Sequence, residues 1–173
     1  NLGKMAHRMP TTFISYRRDD AAGYAGRLHE ALENRLGRDQ VFRDVDTLEP
    51  GQDFVEAIES RLRECRVFLP MIGREWLDAR DSDGRRRLDQ PHDYVRLEIA
   101  NAHARREVRV IPILIEGASM PPVESLPEAV RPLARKQAVH LRDDAWDHDV
   151  DRLVSAITGV TATGTIQPSS ASP

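Results

Sequence analysis

Cysteine is almost missing from this chain. Its 173 residues include one, Cys65, which excludes an internal disulfide and any zinc site built from several thiolates. That usage fits a reducing compartment, and a cytoplasmic location is expected. Lysine is nearly as scarce, with Lys4 and Lys136 alone, so arginine supplies the positive charge. The net charge of -3 gives no bulk attraction to nucleic acid or an anionic membrane, and neither is expected as a partner. No apolar run approaches the length that spans a bilayer, and residues 1–8 lack the apolar centre of a signal peptide. Asn1 in place of Met suggests either a foreign leader before Met5 or a trimmed chain. The six histidines are scattered, without the paired spacing of a metal site. A glycine-rich dinucleotide loop is missing too. Gly23-Tyr-Ala-Gly26 is too short and too late, and no Walker loop occurs, so a nucleotide here is not held in either of those manners.

What is present suits one domain of about 150 residues with tails. Hydrophobic residues make up 40% of the chain, an ordinary globular share. The segment 11–16, rich in β-formers, predicts a strand, and the charged Arg17-Arg-Asp-Asp20 ends it. Apolar spacing predicts a helix over 24–36, closed by Gly37, and another over 54–65. Strands are expected at 40–46, 66–72, 108–115 and 138–141, with Pro70 hinting at a bulge or an end. Further helices are expected at 90–106, 127–135 and 147–157. Residues 1–10 read as a tail. The domain is placed at 11–157, and the Gly, Thr, Ser and Pro of 158–173 as a linker or free tail. Strands and helices alternate five times, which calls for a parallel sheet with helices on both faces.

In such a sheet ligands sit at the carboxyl ends of the strands. That brings residues 16–20, 44–51 and 73–76 together as candidates for one cleft, alongside the 90–106 helix. In this helix Val95, Ile99 and Ala102 form the buried stripe. Tyr94 and Glu98, four apart, share a face beside it. An aromatic ring next to a carboxylate can hold a flat cation while the acid acts on it. Arg17 and Arg18 offer forks suited to phosphate. Trp76 has two open placements, core or cleft lining, and is counted here with the substrate-contacting set. The run Arg85-Arg-Arg87 reads as a solvated loop or an anion contact. Ser15 lacks the glycines of a nucleophile elbow. The ends of the third and fifth strands lack the Asp and Lys of a phospho-acceptor receiver.

Four stretches then fall in register: Phe13-Ile-Ser-Tyr-Arg-Arg18, Val41-Phe-Arg-Asp-Val-Asp-Thr-Leu-Glu-Pro-Gly51, Tyr94-Val-Arg-Leu-Glu-Ile99 and Val110-Ile-Pro-Ile-Leu114. Together they resemble a Toll/interleukin-1 receptor (TIR) domain of bacterial type, over about residues 11–157, and especially the family's NAD-cleaving members. The resemblance implies a flavodoxin-like three-layer sandwich with a five-stranded parallel sheet in the order 2-1-3-4-5. It implies cleavage of the nicotinamide–ribose bond, with NAD+ as substrate and no cofactor, yielding ADP-ribose or a cyclic form. Glu98 falls on the catalytic glutamate, and Tyr94 where relatives often carry Trp. Tyr16, Arg17 and Arg18 fall near the nucleotide. Asp44 to Gly51 fall on a strand end and a mobile loop, and the loop over 46–53 is expected to mediate self-association. A sensor domain joined through the tail, and a role in bacterial defence or stress, complete the expectation. The rivals are a TIR scaffold without turnover and a mimic of host TIR adaptors.

Overall fold

Continuous apolar runs, buried on both faces, build the sheet first. The computed structural model describes residues 11–43 and 50–162, so the expected tail 1–10, residues 44–49 (Asp44 among them) and 163–173 lie outside the described residues. Strand β1 (Thr12–Ser15) is buried throughout. It pairs in parallel with β2 (Val41–Arg43) on one side and with β3 (Val67–Ile72) on the other. The expected fourth strand is present in two pieces, β4 (Arg109–Val110) and β5 (Ile113–Ile115), and β6 (Val139–Leu141) follows. The order is β2-β1-β3-β5-β6, with β4 also on β3. Both pieces keep one register against β3, Phe68 opposite Val110 and Met71 opposite Ile113. They therefore form a single interrupted strand, and the order 2-1-3-4-5 holds. The same register sets Pro70 opposite Pro112. Ile111 N–H donates to Phe68 O at 2.9 Å, but Pro70 has no N–H to return the bond, and the ladder breaks there. Pro70 thus neither bulges nor ends β3; it divides the neighbouring strand.

Helices cover both faces. α1 (Arg18–Leu36) and α4 (Trp146–Ala162) pack together on one face over Ile14, Leu69 and Ile113. α2 (Phe54–Leu62) and α3 (Tyr94–Ala104) take the other face, over Phe13, Phe68 and Leu114. Phe13 and Phe68 stack at 5.9 Å between centroids.

Several boundaries differ from expectation. α1 starts at Arg18, not Tyr24, because Asp19 and Asp20 occupy its first turn, where carboxylates favour the positive helix end. α2 stops at Leu62, leaving Cys65 buried just beyond it, and that burial pushes its thiol up to about 12. Residues Glu128–Arg135 wind as a 3-10 helix, since Pro132 lacks the N–H an α-turn uses. Thr158, expected to open the linker, lies inside α4, its hydroxyl donating to Val154 O at 2.9 Å.

The start of α4 carries a pH-sensitive tie. The Asp149 carboxylate is buried and accepts from Arg142 N (3.0 Å), Nε (2.9 Å) and a terminal guanidinium N–H (2.8 Å). The Arg142 guanidinium, then its backbone N–H, holds the Asp149 carboxyl down at about 2. A folded value below the ordinary 3.8 means the stabilisation is complete above that value and is lost as pH falls toward 2. Denaturant midpoints measured from pH 7 to pH 2 should fall steeply at the acid end in the parent chain. They should fall less steeply in Asp149→Asn, which begins from a lower midpoint at neutral pH.

Candidate functional site

α3 begins at Asp93, whose extended backbone and carboxylate make it the N-cap, accepting from Arg96 N at 3.0 Å. The same carboxylate takes the Arg17 guanidinium end-on, with two terminal N–H groups at 2.9 and 2.8 Å. Both side chains are almost fully covered, 3% and 7% exposed. Arg17 Nε–H donates to Trp76 O at 3.2 Å, and the guanidinium lies 5.9 Å from the centre of the Trp76 ring. Asp20, one turn into α1, accepts from Gly73 N and Glu75 N, both at 2.9 Å. A Cβ at position 73 would overlap this carboxylate, so the close approach requires glycine. Asp20→Ala should leave two donors of the 73–75 turn unmatched and cost about 1–2 kcal/mol, read from denaturant unfolding.

These contacts join the end of β1, the turn after β3 and the start of α3, three of the four segments expected to meet. The fourth runs into residues 44–49, outside the described set. Of its described part, Gly51 is exposed in a turn with φ of 86°, a conformation that favours glycine.

Glu98 lies five residues into α3, between Val95, Ile99 and Ala102 of the buried stripe, and is 1% exposed. It was expected at the edge of that stripe and is inside it. Tyr94, one turn earlier, is half-buried, and its hydroxyl accepts from Arg61 of α2 at 3.2 Å. Phe54 of α2 meets the His92 ring edge-on at 6.2 Å. The acid and the aromatic ring therefore sit where α2 packs on α3, on the sheet face of Phe13 and Phe68.

In the single chain the Arg17 fork is taken up by Asp93. Trp76 is 0% exposed and belongs to the core of the α2–α3 face, so it lines no open cleft. Tyr16 is buried on the opposite face, among the residues under α1 and α4. Arg18 alone of that group is exposed. The arginine run is a self-neutralised hairpin. Arg85 donates to Asp81 and Asp83 at 3.1 and 2.8 Å, Arg86 to Asp89, and Arg87 to Asp19 at 3.4 Å. A crevice of about 340 Å³ opens beyond β3 and β5, lined by Leu77, Asp78, Met120 and Pro121 among others, and of the segments expected to form the cleft it takes Gly73 and Arg74. Among the described residues no cluster of His, Cys, Asp and Glu could hold a metal, and no helix is long and apolar enough to cross a membrane.

Two residues escaped sequence reasoning. Asp93 is legible as a cap, but its pairing with Arg17 spans 76 positions and leaves no local trace. Arg61, which reaches Tyr94, carries no signal in its own neighbourhood.

Comparison with known proteins gives this geometry a context. Over 147 residues, 85% of this chain, it is 29% identical to the Drosophila melanogaster protein named NAD(+) hydrolase sarm1, and it spans 10% of that relative's length. Its backbone superposes on the TIR domains of the activated Roq1 resistosome recognising the pathogen effector XopQ. The TM-score is 0.62 at 14% identity, over 86% of this chain and 99% of the other, a likeness of fold. The TIR domain family model matches residues 12–154, and the chain, with its parallel sheet and buried α3 glutamate, belongs to that family.

Proposed function

We propose that this TIR domain is an NAD+ nucleosidase in which Glu98 is the catalytic residue. The observation that carries this reading is a carboxylate 1% exposed on a helix that begins at the carboxyl-end rim of the sheet, one turn from an aromatic ring. A solvated surface charge has no reason to sit there. The relation to a protein named for NAD(+) hydrolysis supports the choice of substrate.

The chemistry asks little of the protein. The C1′–N bond of NAD+ breaks with its electron pair going to the nicotinamide ring, which leaves neutral because it started cationic. The ribose becomes oxocarbenium-like. Water adds to C1′ and loses a proton, giving ADP-ribose; an adenine nitrogen adding in its place gives a cyclic product. Glu98 stabilises the positive ribose and orients the nucleophile, and no second carboxylate is needed for a leaving group that takes no proton. Tyr94 stacks on the nicotinamide, Arg18 and the Gly51 loop complete the pocket, and the reaction uses no cofactor.

At 1% exposure Glu98 is not reached by substrate in a single closed chain. We therefore assign turnover to an assembled form, with the 46–53 loop as the contact. The setting is a cytoplasmic bacterial defence or stress response, with a sensor domain following the tail. The same burial favours the second reading, a TIR scaffold that never turns over. Nicotinamide release measured on the purified chain, dilute and then crowded, separates them. Release rising more steeply than protein concentration is expected. Release strictly proportional to concentration overturns activation by assembly, and none at any concentration from folded protein favours the scaffold.

A further inference from the structure

Arg17 is held by more contacts than a phosphate-binding arginine needs. Its two terminal nitrogens grip both oxygens of Asp93 at 2.9 and 2.8 Å, its Nε reaches Trp76 O at 3.2 Å, and its guanidinium lies 5.9 Å from the centre of the Trp76 ring. It is 4% exposed. A buried ion pair of this kind is weak evidence for stability, because desolvating two charges offsets most of their attraction. What a planar fork on a carboxylate does supply is fixed distance and fixed angle together.

The place it fixes is the start of α3. Asp93 holds Arg17 with both carboxylate oxygens, and one of them, Oδ2, also caps the helix by accepting from Arg96 N at 3.0 Å. Glu98 follows five residues later, roughly 7.5 Å along the axis at 1.5 Å per residue. A helix transmits a slide or tilt of its first turn to its second with little loss. The other anchor of Arg17, the turn after β3, is itself fastened to α1 by Asp20.

We propose that Arg17 is a positioning residue: through Asp93 it sets the height and rotation of α3, and thereby the place of the Glu98 carboxylate. This rests on the NAD-cleaving reading above for its activity readout and stands on geometry alone for the other. Arg17 acts through Asp93 and does not touch substrate.

The test compares Arg17→Lys, Asp93→Asn and the double variant in the full chain. Asparagine caps a helix as well as aspartate, so Asp93→Asn removes the ion pair and spares the cap. For nicotinamide release from NAD+ under crowding, each single variant should lower kcat about tenfold or more, a change of about 1.4 kcal/mol per tenfold, with KM within about twofold. The double variant should lose no more than the worse single one, because both break one link. The side-chain carboxyl carbon resonance of Glu98, assigned by its loss in Glu98→Gln, should move in both single variants.

A rise in KM for Arg17→Lys alone, or losses that multiply in the double variant, would show that Arg17 meets the substrate and overturn the proposal. Should the chain release no nicotinamide at all, the resonance still decides. A Glu98 signal displaced in both variants supports positioning, and one unmoved in either rejects it, whatever becomes of the enzymatic reading.

Discussion

Glu98→Gln is expected to lower nicotinamide release by at least about a hundredfold, the scale of removing one preorganised electrostatic group from a transition state. The substitution keeps the volume and shape of the side chain, so α3 stays packed on the sheet, and it removes the negative charge that faces the forming oxocarbenium. The same variant should remain folded, because the amide fills the space of the buried carboxylate it replaces. Loss of turnover with unchanged or improved stability is the pattern of a residue kept for function against the interest of the fold. A melting temperature lowered together with activity would instead make Glu98 a structural part of the core, and the catalytic assignment would fall.

The largest effect on stability is expected at Trp76. It is fully buried in the cluster that includes Leu88, Val95 and Ile99, and its backbone oxygen holds Arg17. Trp76→Ala empties the space of an indole and should cost about 3–5 kcal/mol. For a domain of this size that lowers the melting temperature by about 10 °C or more. Trp76→Phe should cost less, about 1–3 kcal/mol, because a benzene ring fills part of the space and leaves a smaller cavity. Among the described residues the indole N–H has no acceptor. Calorimetry or thermal fluorescence on the two variants distinguishes this core role from the cleft-lining role that the sequence allowed. A residue lining an open cleft would tolerate alanine in stability and fail in substrate binding.

Much of this could be read before any coordinates. The parallel sheet follows from alternating strand and helix periods, which are local and strong, whereas its order came with the resemblance to the TIR family. The start of α3 at Asp93 and its stripe of Val95, Ile99 and Ala102 follow from a cap and a spacing. Glu98 was found by the same helix, although its depth was not, since a helical wheel gives direction and other segments decide how far that flank is covered. Charged residues misled at the start of α1, where Arg18, Asp19 and Asp20 look like a loop yet suit a helix's first turn. The contacts that decide the roles of Arg17 and Trp76 were beyond reach. They pair positions 59 and 76 residues apart, and only the closed sheet brings β1, the turn after β3 and α3 to one point. Likewise Pro112 is visible in its apolar run, but the break it makes depends on Pro70 facing it across a register that no local pattern encodes.

Those facing prolines leave a gap in the ladder without severing the sheet. β6 pairs with β5 through Ile113, Leu114 and Ile115, and β5 pairs in turn with β3 through Ile113 and Leu114 on the far side of the gap. Amide exchange should therefore show a graded sheet. β1 and β3 are expected to be protected up to the global unfolding free energy, and β6, held through the interrupted strand, to open at a smaller cost. The β6 edge would thus give way first under load, while the central strands keep still.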